Sequence, residues 1–210
     1  MINVLIVEDD PMARKLLEIY INDSEEYKLS QSIESAAMAE LYCRRNPIDL
    51  ILMDVCTAMD ANGLDAAAKI KKSCPHIKII IVTSQPEFSF IERARKAGVE
   101  SFWYKSASAE EIIEVMNRTM AGESVYPDTT PSLRLGEALN VDFTEKELLV
   151  LREVVDGEAD ADIAEKLGMS LRTVKAHIQN MRDKTGFRNR TELAVRVRES
   201  GLVINDHKTE

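Results

Sequence analysis

The 210-residue chain is long enough for one large domain or two small ones. Its composition, 45% hydrophobic and 30% charged, is that of a soluble globular protein, and no apolar run approaches membrane-spanning length. The opening MINVLIVEDD has no basic segment ahead of its apolar run, so neither a signal peptide nor a membrane anchor is expected, and a cytoplasmic location is. Cys43, Cys56 and Cys74 are odd in number and lack CxxC spacing, which favours buried or incidental thiols over a disulfide framework or a zinc site. The net charge of −9 is unevenly placed. Residues 1–122 carry 14 basic and 19 acidic side chains and residues 143–165 carry 2 and 8, whereas residues 166–198 carry 9 and 2. A basic block inside an acidic chain is either a solvated helix surface or a polyanion-binding face.

In chain order, Ile2–Val7 reads as a buried strand ending in Glu8, Asp9 and Asp10, and Pro11 fits the first turn of a helix with Ala13, Leu16, Leu17 and Tyr20 on one face. A weaker strand spans about 27–33, and a helix from about Ser35 to Arg45 closes at Asn46-Pro47. Leu50–Met53 is a strand buried on both faces that stops at Asp54, and a loop over 55–62 leads to a helix from Gly63 to about Ser73. Lys78–Val82 is another buried strand, ending in Thr83-Ser84, and a helix over roughly 88–96 stops at Gly98. Ser101–Tyr104 is a short strand ending at Lys105, and Ser108 with Glu111 reads as a capping box for a helix running to Gly122.

Five strands alternating with five helices predict an α/β doubly wound, flavodoxin-like parallel sheet. With strand order 2-1-3-4-5, the ends of strands one, three, four and five surround the switch point. Asp9, Asp10, Asp54, Thr83 and Lys105 stand at those ends. Packed carboxylates cannot all stay ionised without a counter-charge. Oxygen ligands beside a lysine suit Mg²⁺, which partners phosphate.

This combination makes residues 1–122 similar to the response-regulator receiver domain. The resemblance implies Asp54 as phosphoacceptor, Asp10 as a direct Mg²⁺ ligand, Asp9 as a ligand mainly through water, and the Cys56 backbone carbonyl as a further ligand. It also implies that Thr83 and Lys105 contact phosphoryl oxygens, with Thr83 and Phe102 as switch residues. Phe102 equally suits a core strand position. The chain departs from the receiver pattern after Asp54, where Cys56-Thr57-Ala58-Met59 lacks the usual proline and Gly63 comes one residue late. Ser106 stands where many receivers have proline. A haloacid-dehalogenase-type phosphatase would need a second aspartate two residues beyond Asp54, and Cys56 occupies that position.

Residues 123–142, with Pro127, Pro131 and Gly136, read as a linker. Beyond it, Thr144 with Glu147 forms a capping box for a helix reaching Gly157, and a shorter helix spans 160–167. The turn Gly168-Met169-Ser170 leads into a helix over 171–185, and a fourth begins after Asn189. Two helices joined by a short glycine-containing turn form a helix-turn-helix. The segments 143–151, 162–167 and 170–177, with Lys184-Thr185-Gly186 and Arg190, resemble the LuxR-type DNA-binding domain over 143–205. Receiver plus this domain is similar to a NarL/FixJ-type response regulator. The resemblance implies base reading by Lys175, Ala176 and Gln179, suited to guanine, a thymine methyl and adenine respectively. Arg172, Thr173, Arg182, Lys184 and Arg188 are expected to be phosphate contacts or solvated charge, and His177 is expected to be structural, packing beside the helix.

The expected function is a two-component response regulator that is not a turnover enzyme. A sensor histidine kinase phosphorylates Asp54 with Mg²⁺, and this controls homodimerisation and binding to double-stranded promoter DNA, with RNA polymerase as a further partner. The alternative is a DNA-binding transcription factor that works without phosphorylation, supported only by the altered loop after Asp54.

Overall fold

The computed structural model describes residues 1–59, 61–87, 89–105 and 109–203. They divide into two compact units, Met1–Ser84 with Phe90–Asp128, and Gln85–Ser89 with the chain from Thr129 onward. The predicted starts at Phe88 and at the Ser108 capping box lie outside the described residues, as does Ser106.

In the first unit, β1 (Ile2–Val7), β2 (Tyr27–Ile33), β3 (Leu50–Met53), β6 (Lys78–Thr83) and β7 (Ser101–Tyr104) form one sheet in the order β2-β1-β3-β6-β7. Every pairing is parallel, as the unbroken apolar runs predict. Val4 to Val7 and Ile79 to Ile81 are 0% exposed, and each such side chain contributes about 1.5–3 kcal/mol on burial. The helices are α1 (Pro11–Asn22), α2 (Ala39–Arg45) after a 3-10 turn at Ala36–Met38, α3 (Gly63–Ser73), α4 (Ser89–Lys96) and α5 (Ala109–Met120). Leu17 and Ile21 of α1 join Ile112, Val115 and Met116 of α5 over Val4, Ile6, Leu52 and Ile80. Leu16, assigned inward by periodicity, is instead exposed, since the inward stripe runs through Leu17 and Ile21.

The strand register sets the strand ends against one another. Val7 pairs with Met53, Met53 with Ile81, and Thr83 with Tyr104. Glu8, Asp54 and Lys105 therefore leave the sheet at one end. The segment expected as a simple loop after Asp54 contains a small antiparallel hairpin, β4 (Cys56–Thr57) with β5 (Ala61–Asn62).

β7 is the last strand of the sheet, yet its four residues are all buried. Chain predicted as linker covers it. The Phe102 amide donates to the Val125 carbonyl at 2.8 Å, the Val125 amide donates to Ser101 Oγ at 3.1 Å, and the Tyr126 hydroxyl donates to the Val99 carbonyl at 2.7 Å.

The second unit opens with the two-residue strands β8 (Arg134–Leu135) and β9 (Ala138–Leu139) and a 3-10 turn at Asn140–Asp142. Four helices come after it, α6 (Glu145–Val155), α7 (Asp160–Leu167), α8 (Leu171–Thr185) and α9 (Arg190–Ser200). Val174, Ile178 and Met181 of α8 enter a core with Phe143, Leu151, Ile163, Leu193 and Val197. Inside this unit Glu87, fully buried, is ion-paired with Arg152.

The capping box of α6 is formed as read: the Glu147 amide donates to Thr144 Oγ1, and the Thr144 amide donates to Glu147 Oε2 at 2.8 Å. Lys184 also donates to both Glu147 oxygens, at 2.9 and 2.7 Å. Burial raises this carboxyl, but the Lys184 and Thr144 bonds outweigh it and hold the group below its ordinary value. A depressed folded-state value gives stability that is present above the unfolded value near 4.5 and lost as pH falls below it. Glu147→Gln is therefore expected to lower the stability of the second unit by about 2 kcal/mol at pH 7. In urea titrations the gap should close toward pH 3, where both carboxamide and protonated acid are neutral.

Candidate functional site

Asp54, 6% exposed, sits at the end of β3 with its carboxylate held on three sides. Oδ1 accepts from the Val55 amide at 2.6 Å, Oδ2 accepts from Lys105 Nζ at 2.7 Å, and the fully buried Thr83 hydroxyl donates to the same group. Lys105 also lies 2.6 Å from Glu8 Oε2, an ion pair without the angle of a good hydrogen bond. Glu8, Asp9 and Asp54 bring carboxylate oxygens within 4.8 Å of one another. Burial raises the Asp54 carboxyl, against the pull of Lys105. Burial, with Asp54 next, pushes Glu8 up to about 7. Burial opposes the charge on Lys105, but Asp54 and Glu8 overcome it and the ammonium is held above its ordinary value. One ammonium thus stands between two buried carboxyl groups, with Asp9 beside them.

The acid expected to bind metal directly, Asp10, is not among the converging carboxylates. Its Oδ1 accepts from the Met12 and Ala13 amides at 2.8 and 2.7 Å, so it is the exposed N-cap of α1 and holds its own carboxyl below the ordinary value. The acidic group at the strand end is Glu8 with Asp9. The sequence held the signal: an aspartate directly before a proline at the first helical position is a cap, and its side chain is committed to that helix. Cys56 lies within reach of the Asp54 and Asp9 charges, and burial first, then those charges, pushes its thiol up to about 12.

Gly63 sits against the phosphoacceptor candidate. A Cβ there would fall 1.8 Å from the Asp54 carbonyl oxygen, and the Gly63 amide donates to the Val55 carbonyl at 2.8 Å. The extra residue that delays this glycine is taken up in the hairpin, whose turn carries Met59 at φ 64. Thr57 Oγ1 anchors the hairpin, donating to the Ala61 carbonyl at 2.6 Å and accepting from the Ala36 amide at 3.0 Å. Phe102, 1% exposed, stands edge-on to Tyr104 at 5.0 Å and stacks on Tyr126 at 6.4 Å.

In the second unit α7, the three-residue turn and α8 form the helix-turn-helix, with Ser170 capping α8 through the Thr173 amide at 3.1 Å. Arg172, Thr173, Lys175, Ala176, Gln179 and Arg188 are exposed, the Thr173 hydroxyl being paired with Ser170 Oγ at 2.7 Å. His177 is half-buried. Lys184, expected to meet phosphate, instead bonds Glu147 twice and the Asp142 carbonyl at 2.8 Å, which occupies all three of its N–H groups. Arg182 donates to Gln179 Oε1 at 3.0 Å and to the Arg188 carbonyl. Sequence shows where cations lie, not which of them are already paired.

A parallel sheet with an acid-and-lysine site at one end, joined in one chain to a helix-turn-helix unit, defines a two-domain regulatory protein. Residues 4–117 match the response regulator receiver domain, and residues 141–197 match the luxR family of bacterial regulatory proteins. The response regulator protein VraR of Staphylococcus aureus, and that of Staphylococcus epidermidis, are 30% identical to this chain over 207 residues, covering 96% of it and 99% of VraR. RcsB from Salmonella enterica serovar Typhimurium, bound to a promoter in the presence of the phosphomimetic BeF3−, shares the fold with a TM-score of 0.63 at 19% identity, covering 96% of this chain and 99% of that one. The response regulator ChrA of a heme-sensing two-component system gives 0.52 at 19% identity, over 96% and 98%. The chain belongs to the response regulators that join a receiver domain to a LuxR-type DNA-binding domain. The expected flavodoxin-like sheet followed by an all-helical domain is borne out. No helix among the described residues is long and apolar enough to cross a membrane.

The contact of Gly63 with the Asp54 carbonyl is open to a direct check. Gly63→Ala must displace backbone at the site, and is expected to cost about 3 kcal/mol or more in the thermal or urea unfolding of the first unit. Met59→Gly, at the hairpin turn, relieves a left-handed φ and should be neutral or stabilising by about 0.5–1 kcal/mol.

Proposed function

We propose that Asp54 is phosphorylated in a Mg²⁺-dependent reaction and that this controls dimerisation and promoter binding by the helix-turn-helix unit. The observation that carries it is the convergence of Glu8, Asp9 and Asp54 on one point, with the single Lys105 ammonium set between Asp54 and Glu8. The donors fit Mg²⁺: all are carboxylate oxygens, they converge, and Glu8 Oε2 is buried without a well-formed hydrogen bond. Glu8, Asp9 and Asp54 would hold the ion, with the Cys56 carbonyl as a further ligand. Bound there, it would supply charge that neutralises phosphoryl oxygens.

The Asp54 carboxylate attacks phosphorus of a donor, a phosphohistidine of a sensor kinase or a small acyl phosphate. An O–P bond forms, and the donor's bond to phosphorus breaks with its electron pair leaving on the donor. The Val55 amide keeps the carboxylate oriented. Lys105 and the Thr83 hydroxyl, both already on this carboxylate, are placed to follow the arriving phosphoryl oxygens. Phe102 lies beside Tyr104, the register partner of Thr83, and acts as the switch aromatic. Self-phosphorylation and slow hydrolysis make this a switch, not a turnover enzyme. The altered loop after Asp54 forms the hairpin of β4 and β5.

In the second unit Lys175, Ala176 and Gln179 are assigned to base edges, and Arg172, Thr173 and Arg188 to phosphate. Solved relatives support the pairing: RcsB is described as dimers bound to DNA and as a promoter complex with a phosphomimetic. RNA polymerase is the natural further partner of a promoter-bound regulator.

With acetyl phosphate and Mg²⁺, wild type should gain one acid-labile phosphoryl group, and Asp54→Asn none. Equal labelling of Asp54→Asn overturns the assignment. Calorimetric Mg²⁺ titration should show weaker binding for Glu8→Gln and Asp9→Asn, whereas Asp10→Ala stays near wild type. Beryllofluoride with Mg²⁺ should raise the mass measured by light scattering, and a monomer under all conditions, target DNA included, would refute the dimer. Arg188→Ala should weaken all DNA sequences alike and lower the salt slope by about one unit.

A further inference from the structure

Residues 166–198 hold nine basic side chains and only two acidic ones, Asp183 and Glu192. Glu192 has a local task at the start of α9, where its amide donates to Asn189 Oδ1 at 2.8 Å and its Oε2 accepts from the Arg188 amide at 2.8 Å. Asp183 caps nothing. It stands on α8, exposed, one turn beyond Gln179. On a helix that meets phosphate a carboxylate costs affinity, so its position calls for a role.

Its partner supplies one. Gln179 Nε2 donates to Asp183 Oδ1 at 2.7 Å, and Arg182 Nη1 donates to Gln179 Oε1 at 3.0 Å. Arg182 is itself tied to the Arg188 carbonyl. Residues three and four positions apart share one helix face, so Asp183, Gln179 and Arg182 are linked along α8, and Arg182 extends the chain to the Arg188 carbonyl just beyond it. A carboxylate accepts only and a guanidinium donates only. Between them the Gln179 amide has one orientation, with nitrogen toward Asp183 and oxygen toward Arg182. One Nε2–H and one Oε1 lone pair remain. Adenine offers N7 as acceptor and N6 as donor in the major groove and matches that remainder. Guanine offers two acceptors, N7 and O6, and finds one donor too few.

We propose that Asp183 is a specificity-determining, positioning residue. It fixes the Gln179 amide so that α8 selects adenine at one position of each half-site, at the expense of general affinity for DNA. This rests on the proposed assignment of Gln179 to base reading. Fixing the amide before binding removes the rotamer freedom that contact with the base would otherwise have to freeze.

The test uses the full chain and a duplex library with a randomised core, with titration of one selected duplex and a scrambled duplex of equal length. Asp183→Ala should reduce adenine preference at one position of each half-site about five-fold or more. It should also tighten binding to the scrambled duplex. Asp183→Asn keeps a carbonyl acceptor but not the charge. It should retain the adenine preference while tightening binding to both duplexes, a rescue that general charge repulsion does not produce. If Asp183→Ala selects the wild-type motif and tightens both duplexes equally, Asp183 is a repulsive charge only and the positioning role is overturned. Gln179→Ala separates the two failures: an unchanged motif for that variant shows that Gln179 does not read a base, and both assignments fall together.

Discussion

Two carboxylates buried at the ends of adjacent parallel strands share one ammonium, and the first unit is arranged around keeping them together. Glu8 and Asp54 are 1% and 6% exposed, so each forgoes most of its hydration, a cost of several kcal/mol per ion in a protein interior. Lys105 offsets part of it at 2.6 and 2.7 Å. The rest appears as the upward pull on both acids. Such a site is poised, because any further cation, or a change in the charge borne by Asp54, alters how Lys105 divides itself. The surroundings are correspondingly stiff. The sheet register sets the three strand ends level, Gly63 presses on the Asp54 backbone, and the Thr57 anchor holds the hairpin in place.

The second unit uses charge differently. Its cations divide between those that build the fold and those that face outward. Lys184 completes the α6 capping box, Arg190 reaches the Glu158 carbonyl and Asp160, and Arg198 bonds the Val155 carbonyl at 2.8 Å. Each satisfies groups at or near a helix end that would otherwise need water. Arg172, Lys175 and Arg188, the cations assigned to DNA, are exposed.

Much of this was legible. Uninterrupted Val, Ile and Leu runs define buried parallel strands, and caps at Thr144 and Ser170 mark helix starts to within a residue, because both signals are local. Of the acids after β1, Asp9 was read into the cluster where it lies, while Asp10, an N-cap, was read there in place of Glu8. Three carboxylates in a row come after the strand, and only the recognition of Asp10 as a cap singles out Glu8 and Asp9. The hairpin after Asp54 left no trace, since two-residue strands carry no periodicity. Nor could composition reveal that Lys184 and Arg182 are internally paired, which depends on partners 37 residues away for the Lys184–Glu147 bond and on helix-face geometry for Arg182.

The backbone of β7 has a consequence for where the first unit can be cut. Its outer edge is occupied by Val125, and the ring of Tyr126 is clamped between Phe102 and the Arg95 guanidinium, which lies 4.0 Å from its centroid. A fragment ending at Gly122 would strip that cover and leave amides and carbonyls of Ser101–Tyr104 facing water. A bare, apolar strand edge is a template for pairing with another chain. Such a fragment is expected to pair through its bared sheet edge, an association independent of phosphorylation. Six more residues, to Asp128, keep the seam closed.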